Sequence, residues 1–298
     1  MQVPQRVVLA TSQIGLTKDV DLGAMLGALR ELGIDADAAP WDAPGYDWAA
    51  CRTVVIRSTW DYGQRLGEYL SWVERVSSVT RLCNPAAVVR WSSDKHYLRD
   101  LAERGVPTVP TAFIAPGQPA VFPEAGDFVV KPTVSAGARN TARYTQDQAH
   151  VRDAARHVEA LHAAAATAMV QPYLPRISEG ERALVFLGGA FSHAVRKGPV
   201  LTDTAVIDNA RVTHPDLAAY EPSPAEFEVA RAALGAVPAG GPLLYARVDL
   251  ALGADGAPVV MELELIEPNL FVGHGEGGLR RFAQAVARSA GVDVGVKG

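Results

Sequence analysis

The sequence predicts an α/β protein with an N-terminal parallel sheet, followed by an α+β part that is built from antiparallel hairpins. In the first hundred residues, short apolar strand patterns alternate with helical patterns, and this order produces a parallel sheet. Further along, strand patterns meet at tight turns, at Gly188-Gly189 and at Gly253–Gly256. The last hairpin, Tyr245–Phe271, carries the densest set of charged side chains and is the first candidate for a functional site.

Length, charge and cysteine usage limit the class of protein. A chain of 298 residues can form two or three subdomains around a substantial core. Its net charge of −5 argues against nucleic acid as a partner, because no basic stripe is available to displace counterions. The opening residues show no signal-peptide pattern and no apolar run could cross a bilayer, so we expect a cytoplasmic protein without a membrane partner. Cys51 and Cys83 lack metal-binding or redox spacing and are expected to be free thiols.

The first part of the chain alternates strand and helix patterns. The strand patterns are Arg6–Thr11, Ile34–Ala38, Thr53–Ile56 and Leu82–Pro85, and the helical patterns are Asp21–Leu32 and Leu66–Val76. No G-x-G-x-x-G follows the first strand, so a dinucleotide site is not expected here. Ligands of parallel sheets gather at the carboxyl ends of the strands, which directs attention to the loop that follows the third strand.

That loop, Arg57–Tyr62, is chemically dense for its place in the fold. Arg57 and Ser58 could hold a carboxylate and Asp61 an ammonium, so the loop could bind a small zwitterion. The alternative is an arginine–aspartate pair that only holds the loop together. We expect the binding role, because loops at this edge carry ligands more often than they serve packing.

The middle of the chain places two lysines where they could meet an anion. Asp94-Lys95 opens a helical pattern, and the strand pattern Asp127–Pro132 carries Lys131 just before its final proline. The loop Thr133–Thr141 follows, and its small and hydroxyl-bearing residues could let backbone amides approach phosphates. After the alanine-rich helix pattern Ala149–Thr167, a strand pattern leads to Gln171-Pro172-Tyr173-Leu174.

Alternation in the hairpin Tyr245–Phe271 places its charges on one face. Arg247 and Asp249 share a face of the first strand, and Glu262 and Glu264 share a face of the second. If the strands pair antiparallel, three carboxylates and one guanidinium meet beside a hydrophobic core. Opposed carboxylates repel each other unless a cation lies between them, and hard oxygen ligands suit Mg²⁺. A solvated, acidic edge hairpin is the alternative.

The order of these features resembles the ATP-grasp superfamily of carboxylate–amine ligases. The motifs are Asp94-Lys95, Val129–Pro132, Thr133–Thr141, Gln171–Leu174, Gly180–Arg182, Arg247-x-Asp249 and Glu262-x-Glu264. The resemblance covers the chain from about Trp91 to its end. It implies an ATP-grasp fold behind an N-terminal substrate domain, divided into residues 1–94, 95–172 and 173–298.

The resemblance also implies a role for each motif residue. ATP is the implied cofactor, together with Mg²⁺, two ions being usual and Mn²⁺ an alternative. The nucleotide would be held by Lys95, Lys131, Ser135, Gly137, Gln171, Tyr173, Leu174 and Glu181. The metal would be held by Asp249, Glu262 and Glu264, where relatives commonly carry Asn at the position of Glu264. Catalysis would rest on Arg247 and Lys131. An amino-acid-like substrate would contact Arg57, Ser58, Asp61, Lys197 and Arg247.

Shorter motifs narrow the resemblance to the cyclo-ligase branch of this superfamily. They are Arg57–Tyr62, Asn84-Pro85, Val88–Trp91, Ser135–Ala138 and Ser192–Ala194 with Lys197. The branch implies ATP-dependent ring closure of O-ureido-D-serine to D-cycloserine through an acyl phosphate, with ADP and phosphate as products. Two alternatives stay open: a two-substrate ligase of the glutathione synthetase or dipeptide ligase kind, and a non-catalytic ATP-binding module. The resemblance is compatible with a homodimer or a homotetramer.

The histidines give little functional signal. His96, His150, His157 and His162 lie in predicted helices, and we expect them at the surface. His193 and His274 either face the substrate or serve packing, and the sequence leaves both possibilities open.

Overall fold

The computed structural model describes residues 6–210, 216–238 and 242–292, which form three sheets. Residues 1–5, on which the expected absence of a signal peptide rests, lie outside these ranges. Within them, no helix has both the length and the apolar character that a membrane span requires. Cys51 and Cys83 are buried free thiols, as expected.

The first sheet is parallel, which confirms the prediction from alternating strands and helices. Its strands are β1 (Val7–Thr11), β2 (Ala36–Pro40), β3 (Thr53–Ile56) and β4 (Arg81–Cys83), in the order β2-β1-β3-β4. Its helices are α1 (Gly15–Lys18), α2 (Leu22–Glu31) and α3 (Leu66–Val79). β1 and β3 are buried along their whole length, which explains their continuous apolar sequences. The loop that follows β3 therefore lies at the ligand-gathering edge of this sheet.

Strand β2 begins two residues later than predicted because of the way helix α2 ends. Gly33 has a φ of 76°, and the amide of Ile34 donates to the carbonyl of Leu29 at 3.1 Å. A glycine in the left-handed region is the usual helix terminator, and the amide of the following residue returns to satisfy a free carbonyl. Ile34 therefore belongs to the helix end rather than to the strand.

The second sheet is antiparallel and carries the predicted nucleotide residues. Its strands are β5 (Ala112–Ile114), β6 (Phe128–Pro132), β7 (Ala142–Tyr144) and β8 (Ala168–Pro172), in the order β5-β8-β6-β7. Helix α6 (Gln148–Ala163) covers it and is capped by the Asp147 side chain. Gln171 pairs with Val129 in the register, so Lys131 and Gln171 lie on the same face.

The third sheet is antiparallel and contains the charged hairpin. Its strands are β9 (Glu181–Leu187), β10 (Ala190–Lys197), β11 (Ala218–Tyr220), β12 (Tyr245–Leu252) and β13 (Pro258–Glu264), in the order β11-β10-β9-β12-β13. Gly188 and Gly189 have φ values of 59° and 82°, as the predicted tight turn requires. The remaining helices are α4 (Ala86–Ser92), α5 (Tyr97–Glu103), α7 (Pro224–Gly235) and α8 (Gly278–Ser289).

Packing links the sheets across the sequence. Helices α4 and α5 contribute Val88 and Leu98 to the core of the third sheet, while α8 packs against α2 through Phe282. Helix α5 therefore shares its core with the C-terminal sheet, although the predicted division places it in the central part. The predicted division at residues 94 and 172 stays a prediction.

Two buried polar side chains fix the hairpin to the first sheet. Asn84 accepts from the amide of Leu244 at 2.7 Å and donates to the carbonyls of Tyr245 and Leu265. The Tyr245 hydroxyl lies 2.6 Å from the carbonyl oxygen of Ile56. Because buried polar groups are costly unless they are paired, these contacts hold the start and the end of the hairpin at the edge of β3 and β4.

Candidate active site

A cavity of about 750 Å³ is lined by residues of the second and third sheets and by the loop that follows β3. The predicted site residues on its wall are Asp61, Lys95, Lys131, Ser135, Gly137, Gln171, Tyr173, Leu174, Glu181, Lys197, Arg247, Asp249, Glu262 and Glu264. Arg57 and Ser58 are the two predicted residues that do not line it. The fold therefore brings together residues as far apart in the chain as Asp61 and Glu264.

The strand register explains how the hairpin presents its charges. Arg247 lies directly opposite Glu264, and Asp249 lies directly opposite Glu262. Directly opposed residues of antiparallel strands share a face, so the predicted convergence of four charged side chains is confirmed. A bulge between Asp249 and Leu250 ends this regular pairing immediately after the charged positions.

Asp249 lies at the centre of a buried ion network. Arg247 donates to both of its oxygens, at 2.8 and 3.0 Å, and Lys197 donates to Oδ2 at 2.7 Å. Burial by itself would raise the pKa of Asp249, but the Arg247 and Lys197 charges outweigh it and hold that pKa below the ordinary value. The Lys197 ammonium also lies 2.8 Å from the Glu181 carboxylate. Burial by itself would lower the pKa of Lys197, but the charges of Asp249 and Glu181 outweigh burial and raise that pKa.

The two carboxylates of β13 differ in their charge environment. Glu262 lies 3.1 Å from the Lys95 ammonium, and the lysine charges overcome burial and lower the pKa of Glu262. Among the described residues, the only ion-pair partner of Glu264 is the guanidinium of Arg247, which Asp249 shares. Burial and the nearby carboxylates of Glu262 and Asp249 raise the pKa of Glu264 to about 7. Glu264 is therefore neutralised less well by the protein's cations than Glu262 is.

The lysines provide an anion-binding region beside these carboxylates. Lys95 donates to the carbonyl of Ser135 at 2.7 Å as well as contacting Glu262. Lys131 has no hydrogen bond or ion pair with any described residue, and burial with the nearby Lys95 charge lowers the pKa of Lys131. An unpaired, half-buried ammonium that lines a cavity suits an anionic ligand such as a phosphate.

The predicted metal ligands are paired with protein cations. Among the residues that the structure describes, no three or more His, Cys, Asp or Glu side chains form a ready-made metal cluster. Asp249 is held by Arg247 and Lys197, and Glu262 by Lys95. These ammonium and guanidinium groups neutralise the carboxylates, as a bound metal ion would. Carboxylate oxygens are hard donors, the kind that Mg²⁺ prefers. The residues therefore fit Mg²⁺ in their chemistry.

The second sheet supplies a less charged wall of the cavity. The buried Gln171 amide donates to the Thr111 hydroxyl at 2.8 Å, and the Tyr173 hydroxyl donates to the Leu201 carbonyl at 3.1 Å. The Arg143 guanidinium lies 3.8 Å from the centre of the Tyr173 ring, in cation–π contact. Ring and aliphatic surfaces with a few fixed polar groups are typical of pockets for flat organic ligands.

The small-residue loop Thr133–Thr141 covers part of this wall through an unusual backbone. Gly137, Ala138 and Asn140 have φ values of 63°, 55° and 49°, and two of these three residues carry a side chain. Left-handed conformations outside glycine cost energy and concentrate at ligand-binding segments. The contact between the Ser135 carbonyl and Lys95 ties this loop to the lysine pair.

The structure corrects the sequence interpretation of the Arg57–Tyr62 loop. Arg57 is 4% exposed and is held by Asp19 at 3.0 Å and by the Pro268 carbonyl at 2.5 Å, away from the cavity. Ser58 is fully buried and lies 2.7 Å from the Thr11 hydroxyl. Both residues therefore fix the loop, as in the alternative considered above. The partner of Arg57 is Asp19 rather than Asp61.

Asp61 lines the cavity, but its carboxylate already has protein partners. It accepts from the Trp41 indole at 2.9 Å and lies 3.4 Å from the Arg65 guanidinium.

Two histidines have structural partners. His193 Nε2 lies 2.8 Å from the Leu270 carbonyl, and the imidazole fills the space beside Gly275. His157 is 4% exposed and contacts both the Tyr144 hydroxyl and the Asn140 carbonyl, so the expected surface position of His157 is wrong.

The sequence interpretation missed Glu267. This residue follows β13 and lines the cavity beside Asp61 and Tyr62. It is three positions beyond Glu264, outside the strand alternation that identified the other carboxylates, so no periodic pattern marks it. The acidic composition of the Glu262–Glu267 segment was the only available signal.

Comparison with solved structures identifies the class of protein. The fold matches the crystal structure of D-cycloserine synthetase DcsG with a TM-score of 0.86 and 38% sequence identity, over 96% of this chain and 99% of that one. It also matches D-alanine–D-alanine ligase from Bacillus anthracis with a TM-score of 0.69 at 15% identity, over 96% and 97% of the two chains. That second likeness shows the fold alone. Fold and site together define an ATP-grasp ligase, which uses ATP and a divalent metal ion.

Sequence comparison then identifies the family. The Cycloserine biosynthesis protein DcsG of Streptomyces lavendulae is 40% identical, over 94% of this chain and 97% of the relative. Residues 7–84 match the family model described as D-cycloserine synthetase DcsG, N-terminal domain. The chain belongs to the DcsG family.

Proposed function

We propose that this ligase converts O-ureido-D-serine to D-cycloserine, using ATP and Mg²⁺, with loss of the carbamoyl group as CO₂ and ammonia. The observation that carries the proposal is the cavity in which Arg247, the lysines and the carboxylates of β12 and β13 face one another. The DcsG relatives support the choice of product, since one is described as a D-cycloserine synthetase and another as a cycloserine biosynthesis protein. The match to the relatives extends over nearly the whole chain and includes the N-terminal part.

The cavity residues divide between the nucleotide and the metal. Lys95 and Lys131 hold phosphates, and the Ser135–Gly137 backbone covers them. The wall that contains Gln171, Tyr173 and Leu174 holds the adenine, and Glu181 holds the ribose. Asp249, Glu262 and Glu264 would hold two Mg²⁺ ions, for which Mn²⁺ can substitute. When bound, ATP supplies the phosphoryl group that turns an unreactive carboxylate into an electrophile.

Arg247 orients the reacting carboxylate and stabilises its developing charge. Its guanidinium is held by Asp249 and by the Asn269 carbonyl at 2.9 Å, so its position is fixed before the substrate arrives. A preorganised cation in a site that excludes water stabilises transition-state charge without further reorganisation. Lys197, which Asp249 and Glu181 keep protonated, adds a second fixed cation on the same wall.

Ring closure needs one substrate and no second amine. A nitrogen and a carboxyl group that are held in one folded conformer gain about 7–11 kcal/mol from proximity. Trp60, Asp61 and Tyr62 line the same cavity as Arg247 and Glu267, and in this proposal they enclose the folded conformer.

The test is to incubate the purified protein with ATP, Mg²⁺ and either enantiomer of O-ureidoserine, while ADP and the cyclic product are followed. We expect both products with the D-enantiomer alone. AMP and pyrophosphate as products would contradict the acyl-phosphate chemistry. ADP release only after addition of a second amino acid would favour a two-substrate ligase.

The proposal also includes a domain division, an oligomeric state and a location in the cell. The chain divides at residues 94 and 172 into a substrate domain, a central domain and a C-terminal domain. It assembles as a homodimer or homotetramer, which gel filtration with light scattering tests. It acts in the cytoplasm.

A further inference from the structure

Glu267 occupies a segment that connects β13 to the rest of the cavity wall. Its neighbours Ile266 and Pro268 are buried, whereas Glu267 is half-buried and lines the cavity. The segment therefore presents a charged, half-buried side chain to the cavity between two buried residues, of which Ile266 also lines the cavity.

The backbone of this segment is fixed by four side chains. The carbonyl of Leu265 accepts from Asn84 at 2.7 Å, that of Ile266 from Tyr245 at 2.7 Å, that of Pro268 from Arg57 at 2.5 Å, and that of Asn269 from Arg247 at 2.9 Å. Donors from the first sheet and from β12 thus hold the carbonyls on both sides of Glu267. The carboxylate is presented by a rigid support, as a binding residue requires.

The Glu267 carboxylate has no hydrogen bond and no ion pair with any residue that the structure describes. The five cavity carboxylates that the sequence predicted all have an ion-pair partner: Asp61 with Arg65, Glu181 with Lys197, Asp249 with Arg247, Glu262 with Lys95 and Glu264 with Arg247. Burial, together with the nearby charge of Glu264, raises the pKa of Glu267 well above its ordinary value, although Arg57 and Arg247 oppose this rise. A carboxylate in such surroundings is stabilised by a cation that the protein itself does not provide.

We propose that Glu267 binds the ammonium group of the substrate and so selects an α-amino acid. This inference rests on the proposed function. A zwitterionic amino acid supplies the cation that Glu267 lacks, while its carboxylate approaches the guanidinium of Arg247. Glu267 thereby takes the role that the sequence interpretation gave to Asp61, because Asp61 is already paired with Trp41 and Arg65.

The experiment compares two ligands and three proteins by isothermal titration calorimetry, with each protein loaded with a non-hydrolysable ATP analogue and Mg²⁺. The ligands are O-ureido-D-serine and 3-(ureidooxy)propanoate, which lacks the amino group. The proteins are wild type, Glu267→Gln and Glu74→Gln. Glu74 gives a matched loss of charge, since it forms a surface pair with Arg90 and does not line the cavity. Thermal unfolding of each protein checks its fold.

We expect Glu267→Gln to weaken O-ureido-D-serine binding by about 10- to 100-fold, the usual range for a hydrogen bond between charged groups. Its affinity for the ligand without the amino group should stay the same, and Glu74→Gln should match wild type for both ligands. A purely structural role would weaken both ligands equally and would overturn the inference. Unchanged affinity of Glu267→Gln for O-ureido-D-serine would also overturn it. A wild-type protein that binds neither ligand would instead refute the proposed function and the inference with it.

Discussion

Replacing Glu262 by Gln removes one negative charge from the proposed metal site and keeps the side-chain shape. Breaking a fully buried ion pair costs about 3–5 kcal/mol. The Glu262 side chain is 31% exposed, and Lys95 keeps the Ser135 carbonyl as an acceptor. Solvent screening and this remaining contact reduce the expected loss of stability to about 1 kcal/mol. The fold should therefore survive the change.

The effect on catalysis should be much larger. Removing one preorganised electrostatic group from an active site usually lowers kcat by about 10²- to 10³-fold. Glu262 lies opposite Asp249 at the place where the proposed metal neutralises the phosphates, so we expect a loss of this size in ADP release. Glu264→Asn should lose less, because the amide oxygen remains a hard ligand and relatives commonly carry Asn there. Arg247 keeps Asp249 and the Asn269 carbonyl as partners in that variant.

The assay is ADP release at increasing Mg²⁺ concentration for wild type, Glu262→Gln, Glu264→Asn and the surface control Glu74→Gln, with thermal unfolding of each protein. Near wild-type turnover of Glu262→Gln at saturating Mg²⁺ would refute the reasoning. Equal losses in the two hairpin variants would count against the equivalence of Glu264 with the asparagine of relatives.

Three further predictions follow from the charges and burial of single side chains. Lys131→Met should raise the KM for ATP by about 10- to 100-fold without lowering the melting temperature, because the ammonium has no partner among the described residues. Burial lowers the pKa of His157 below its ordinary value of 6.5, so as pH falls the unfolded chain binds a proton before the folded chain does. The free energy of unfolding should therefore fall as pH drops below 6.5. His157→Gln should flatten this pH dependence in urea titrations. Arg57→Gln should lower the free energy of unfolding in urea by about 3 kcal/mol, because it leaves Asp19 buried without its partner. An unchanged urea midpoint for Arg57→Gln would contradict its structural role.

Local sequence patterns determined the elements and the faces that they present. Alternation of side chains along each strand of the hairpin predicted that Arg247 and Asp249 share a face with Glu262 and Glu264. The strand register confirms that arrangement. A continuous apolar run gave β3 with its bounds, Thr53–Ile56. These features could be predicted because strand alternation and burial depend on residues that are neighbours in the chain.

Only the tertiary structure decided which charged groups are paired and which are free. Arg57 finds Asp19, 38 residues earlier, and the Pro268 carbonyl, 211 residues later, instead of a ligand. His157 is buried by contacts with Tyr144 and Asn140, although its helix pattern looks like a surface helix. Glu267 has no partner within the described ranges, where the carbonyls of its neighbours accept from Asn84, Tyr245, Arg57 and Arg247. A local pattern fixes the face on which a side chain lies, but its partner depends on how distant segments pack against that face.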